Sequence, residues 1–133
     1  MLKVNLITLS DYASISREGK LSINGIFDKL NVTKFPTTLA RAFFVATVSG
    51  DALTEYKLEL NFKKGTKNLA TFNLNSMTGE NGRNNMVVEL VGLPIEAEGE
   101  YKFSLTHNKK ELGSAALEAI LKENNQPTGK LPN

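Results

Sequence analysis

The sequence predicts an all-β fold: a single two-sheet β-sandwich, immunoglobulin-like or Greek-key, of about eight strands. Three observations predict it. Residues 55 to 63 alternate strictly, with Tyr56, Leu58, Leu60 and Phe62 on one face and Glu55, Lys57, Glu59, Asn61 and Lys63 on the other. That is the pattern of a strand with one side on a core and one side in water. Short apolar runs recur along the chain, with turn residues about every ten positions. Finally, Leu93-Pro94 precedes Gly99-Glu100-Tyr101 at the head of a strand. In sandwiches a tyrosine at such a corner bonds its hydroxyl to the backbone. Tyr101 is therefore read as structural.

The elements follow in order. Leu2 to Ser10 is apolar-rich and reads as the first strand, with a turn at Arg17-Glu18-Gly19-Lys20. Leu21 to Leu30 reads as the next strand. Asn24-Gly25 lies too close to the previous turn to be a second one, so a bulge is expected there. Leu39 to Ser49 is apolar on both faces and rich in β-branched and aromatic residues, which predicts a central strand rather than a buried helix. The turn Lys64-Gly65-Thr66-Lys67 then closes a hairpin between residues 55–63 and the alternating Ala70, Phe72 and Leu74.

Met77 to Asn85 reads as a polar loop and Met86 to Val91 as a strand that Gly92-Leu93-Pro94 ends, because proline cannot donate to a ladder. Tyr101, Phe103 and Leu105 face inward on the following strand, and Asn108-Lys109 is a two-residue hairpin turn. Ser114 to Lys122 has the highest helix propensity in the chain, yet it follows a hairpin signal. It reads as the returning strand, with a bulge at Gly113 and with helix as the competitor. Residues 1–122 thus form one domain, and 123–133, with Pro127, Gly129 and Pro132, read as a flexible C-terminal tail.

Composition excludes several classes. The 133 residues contain no cysteine, no tryptophan and one histidine, which excludes thiol catalysis, zinc fingers and a disulfide scaffold. Net charge is +2, and 13 of the 16 basic residues are lysine, so neither field nor arginine content favours nucleic acid. No segment has the length of a signal h-region or a membrane span. The expectation is a cytoplasmic protein without nucleic-acid or membrane partners. Asn31-Val32-Thr33 matches a glycosylation sequon, which 14 asparagines make unremarkable by chance.

Candidate chemistry is sparse. His107 sits beside the predicted turn, with no Ser or Asp near it in sequence, and reads as a solvated turn residue rather than a general base. Asp11, Asp28 and Asp51 are scattered, which argues against a calcium site. Glu96, Glu98 and Glu100 read as a solvated acidic loop, and Lys63, Lys64 and Lys67 as a charged hairpin tip. The stretch from Gly79 to Gly82 lacks the Lys-Ser/Thr of a phosphate loop. No catalytic, cofactor or metal residue is expected. Asp11 and Asp28 stand where strands are predicted to stop. Their carboxylates are read as accepting backbone N–H groups there, with a recognition surface at that end as the alternative. Pairing across the Arg17–Lys20 turn is expected to set Asp11 opposite Ile26.

The N-terminal part carries a resemblance. Val4 to Leu9, Asp11-Tyr12-Ala13, Gly19-Lys20-Leu21-Ser22-Ile23, Gly25-Ile26-Phe27-Asp28 and Phe35-Pro36 follow one another in an order that resembles an uncharacterised family of small bacterial and phage proteins, a domain of unknown function. Gly99 to Phe103 and the closing hairpin match its pattern too. Asn24 and the alanine-rich last segment depart from it. The resemblance implies a β-sandwich and no assigned activity. The functional expectation is a non-catalytic module that binds another protein, in a bacterial, phage or prophage setting, with self-association through edge strands. A small-ligand or carbohydrate-binding domain is the alternative, and a hydrolase the weaker one. No cofactor is expected.

Overall fold

The computed structural model describes residues 1–122. Nine strands follow one another: β1 (Lys3–Ile15), β2 (Leu21–Ile26), β3 (Lys29–Val32), β4 (Thr37–Ser49), β5 (Glu55–Lys64), β6 (Lys67–Met77), β7 (Arg83–Ile95), β8 (Gly99–His107) and β9 (Lys110–Leu121). They form a four-stranded sheet in the order β2-β1-β4-β7 and a five-stranded sheet in the order β3-β9-β8-β5-β6. The order is that of an immunoglobulin-like sandwich, with β5, β8 and β9 in the places of strands C, F and G. The expected tail at 123–133 lies outside the described residues.

Local signals produce the hairpins. β5 and β6 pair through Lys64↔Lys67, and Gly65 in the turn takes φ +61°. Asn108 and Lys109 take φ +51° and +67° between the paired His107 and Lys110, the two left-handed residues that a right-twisted hairpin needs. β9 is a strand despite its helix propensity. Leu117 and Ala119 are buried opposite Tyr101 and Gly99, and that burial outweighs a few tenths of a kcal/mol per residue of propensity. Its bulge falls at Leu112, one residue before the expected Gly113.

The core lies between the inner faces. Phe62 stacks on Phe103 with centroids 4.8 Å apart and on Tyr101 at 5.5 Å, and Phe44 reaches across from the other sheet to Phe103 at 6.5 Å. β4 is central, between β1 and β7, and its residues Ala42 to Ala46 are buried on both faces. A second small cluster, Ala13, Phe43 and Val45 with Leu21, Ile23 and Val87, covers its outer face.

That second cluster exists because β1 doubles back. Pairing of β1 with β4 ends at Ser10↔Phe43. A straight continuation would carry the β1–β2 turn away from Thr47. Instead the Gly19 carbonyl accepts a 3.1 Å bond from the amide of Asn85, and Asn85 is the ladder partner of Thr47. The β1–β2 ribbon therefore folds over the outer face of its own sheet and buries Phe43 and Val45 there.

Several expectations are corrected. β1 runs on to Ile15, so Asp11 lies inside a strand, not after one. The stretch Leu21–Leu30 is two strands in two sheets. β2 stays with β1, whereas β3 crosses over and pairs in parallel with β9 through Lys29↔Glu118 to Val32↔Leu121. No register change occurs at Asn24-Gly25; Gly25 takes φ +72° in register. β7 starts at Arg83 and passes through Pro94, which pairs with Thr38. An edge strand tolerates proline because one side of its ladder faces no partner.

Candidate functional site

Tyr101 is 1% exposed. Its hydroxyl donates to the Ala97 carbonyl at 2.7 Å and accepts from the Ala97 N–H at 3.3 Å, which ties the β7–β8 corner to the core. Lys64 Nζ lies over the ring at 5.8 Å. Tyr101→Phe is expected to destabilise the domain by about 1–2 kcal/mol, because the Ala97 carbonyl is left without its partner. An unchanged urea midpoint would contradict this.

Asp11 and Asp28 are both exposed. Among the described residues neither carboxylate accepts a hydrogen bond, so the expected capping of strand ends is corrected. The strand end at Asp28 is tied by its backbone instead, whose carbonyl accepts from Glu118 N–H at 2.9 Å. Asp11 stands opposite Gly25 rather than Ile26, because Ser10 takes Ile26 as its partner. A Cβ at residue 25 would lie 2.6 Å from Asp11 Oδ2, so glycine is what lets this carboxylate lie across β2. Asp11→Ala is expected to shift stability by less than about 0.5 kcal/mol, the range of surface substitutions. A larger loss in a thermal melt would restore a structural role.

The remaining sequence candidates are dispersed. His107 Nδ1 lies 3.2 Å from the Lys57 carbonyl, and Tyr56 meets the ring edge-on at 5.5 Å, so the imidazole is engaged in the hairpin wall. Glu98 accepts from Leu121 N–H at 3.0 Å and closes the end of β9. Glu111 bridges Lys102 at 3.0 Å and Ser104 at 2.9 Å, and chiefly the Lys102 bond holds its carboxyl below the usual range. Among the described residues no three His, Asp or Glu side chains gather into a metal-binding group. No helix there is long and apolar enough to cross a membrane.

What the fold assembles is a surface at the bend of β1. Tyr12 is 51% exposed and meets Phe43 edge-on at 5.3 Å. The Arg41 guanidinium lies 5.3 Å from the centre of the same ring and bridges Glu89 at 2.7 Å. Val91, 68% exposed, is the ladder partner of Arg41. Ile26, 64% exposed, stands beside Ser10, which stands beside Phe43. Next to this patch an open groove of about 610 Å³ is lined by Asp11, Phe27, Lys29, Lys34, Thr37 and Arg41. Tyrosine and arginine on a partly apolar patch are the residue types that carry binding energy in protein interfaces. The patch escapes a linear reading because its members come from β1, β2, β4 and β7. One signal was visible: Arg41 is the single charged residue in an otherwise uncharged β4.

The chain belongs to the family of unknown function DUF6941, whose model matches residues 5–120. No curated protein matches it. Among solved structures it is similar to the alkylpurine DNA glycosylase AlkC of Pseudomonas fluorescens, bound to DNA containing an abasic site analog, at 15% identity and a TM-score of 0.53 over 89% of this chain and 30% of that one. It is similar to a GH3 beta-glucosidase of Bifidobacterium adolescentis at 10% identity and a TM-score of 0.51, over 96% of this chain and 19% of that one. An immunoglobulin-like protein of Pseudomonas aeruginosa matches at 12% identity and a TM-score of 0.49, over 90% of this chain and 96% of that one. The chain thus spans less than a third of the two enzymes it resembles, and at these identities the likeness is one of fold.

Proposed function

For this member of a family of unknown function, we propose a non-catalytic module that binds another protein through the bend of β1. The observation that carries the proposal is the exposed Tyr12 and Arg41 pair seated on Phe43, flanked by Ile26 and Val91 and opening onto the groove. An aromatic ring already held by a neighbour loses little freedom on binding, and apolar flanks exclude water around it. Lys29 and Lys34 in the groove favour a partner segment that carries acidic side chains. The proposal includes a cytoplasmic location, carried over from the sequence, and a bacterial or phage setting, which only the family resemblance implies.

Co-purification from the native host tests it. The parent protein is expected to retain a partner that Tyr12→Ser/Val91→Ser loses while the variant still melts cooperatively. Equal capture by both would exclude this surface. A carbohydrate reading is less supported. Tyr12 is the only well-exposed aromatic ring among the described residues, and sugar stacking works best with an open platform of rings.

A further inference from the structure

Sheet edges normally carry devices that prevent pairing with another chain. Three edges of this sandwich have them. β7 contains Arg83, Glu89, Pro94 and a left-handed Gly92. β2 is six residues long, contains the left-handed Gly25 and folds over its own sheet. β3 has four residues and begins with Lys29. β6 is the exception. It is the last strand of the five-stranded sheet, and from Asn68 to Met77 it has no charge, no proline and no glycine.

We propose that β6 is a self-pairing edge, so that two copies of the chain join antiparallel β6 strands about a two-fold axis at Asn73 into one ten-stranded sheet. The occupant is argued from the strand itself. The half-buried Ala70, Phe72 and Leu74 alternate with the exposed Thr71, Asn73 and Asn75. A two-fold axis perpendicular to the sheet pairs even positions with even and odd with odd. The apolar row of one copy then continues the apolar row of the other, and the polar rows meet likewise. Charge supports the same occupant. The hairpin tip at one end of β6 carries Lys63, Lys64 and Lys67, whereas at the other end Met77 and Asn75 pair with Glu55 and Lys57, one charge of each sign. Antiparallel pairing sets the lysine end of each copy against the Glu55 end of its partner. A parallel arrangement would set lysine against lysine. This surface is separate from the bend of β1 and does not rest on the function proposed there.

Sedimentation of the full chain tests it. The parent protein is expected to show a concentration-dependent monomer–dimer equilibrium. Asn73→Lys, at an exposed position, is expected to weaken the dimer at least tenfold by setting like charges against each other, with an unchanged melt. Asn73→Asp, which also faces Glu59 of its own β5, is expected to weaken the dimer likewise at a slightly lower melting temperature, and mixing the two variants is expected to restore a dimer. Tyr12→Ser/Val91→Ser should still dimerise. A parent protein that stays monomeric at its highest soluble concentration overturns the proposal and leaves the edge to an extended peptide. A dimer that persists in Asn73→Lys overturns it too, since the interface then lies elsewhere.

Discussion

Phe62→Ala is expected to lower stability by about 3–5 kcal/mol, the range for removing a large aromatic side chain from a packed core. Phe62 is fully buried on β5, between β8 and the edge strand β6. Its ring stacks between Phe103 at 4.8 Å and Tyr101 at 5.5 Å, so its loss opens a cavity beside two rigid neighbours. Tyr101 is pinned by its bonds to Ala97 and cannot move in to fill the space without breaking them. Collapse of the site is therefore limited, and the cost should fall in the upper part of the range. Urea denaturation of both proteins with equal slopes would measure it. A loss below about 1.5 kcal/mol would mean that the core repacks around the gap and that the stack contributes little.

Gly82→Ala is expected to cost about 2–3 kcal/mol without removing any side chain. The cost combines about 1–2 kcal/mol for a left-handed residue that acquires a Cβ with about 1 kcal/mol for a weakened hydrogen bond. Gly82 takes φ +76°, and a Cβ there would fall against the carbonyl oxygen of Gly50. The two loops are joined at this point. Gly50 N–H donates to the Gly82 carbonyl at 2.7 Å, and Leu53 N–H donates to the Gly79 carbonyl at 3.1 Å. Thr78 fastens the same junction, its hydroxyl lying 2.6 Å from the Asp51 carbonyl. An alanine must push the β4–β5 turn away from the β6–β7 turn. The glycines between Met77 and Asn85 thus have a structural use, in place of the phosphate loop excluded above. A thermal melt of Gly82→Ala that matches the parent would show that the junction yields freely.

Much of the sandwich was legible because its signals are local. Alternation in residues 55–63 reports which face of β5 is buried, whatever lies beyond it. Asn108-Lys109 closes β8 onto β9 through the backbone freedom of the turn itself. The β8 corner was legible from Tyr101 just after Gly99, whereas Pro94, read as the end of a strand, lies inside β7. β9 was harder. Its alanines and leucine suit a helix, and only the position after a hairpin turn identified the strand.

The rest was decided at long range. Nothing in Leu21–Leu30 marks a change of sheet at Phe27-Asp28. β3 crosses there because β9, at the far end of the chain, offers it an edge through Lys29↔Glu118. Asp11 was placed one residue out of register for a related reason. The pairing of β1 with β2 is set where Ser10 meets both Ile26 and Phe43, not by counting back from the Arg17–Lys20 turn. The Tyr12, Phe43 and Arg41 surface exists only after β1 has doubled back over β4.

By itself the sequence determined the class of fold, the faces of most strands and both tight hairpins, since period and turn chemistry act between residues a few positions apart. The tertiary structure alone decided which edges were left open, which carboxylates went without partners and where exposed aromatic and charged groups met. Those outcomes depend on contacts between distant segments, whose energies are settled only when the two sheets close on each other.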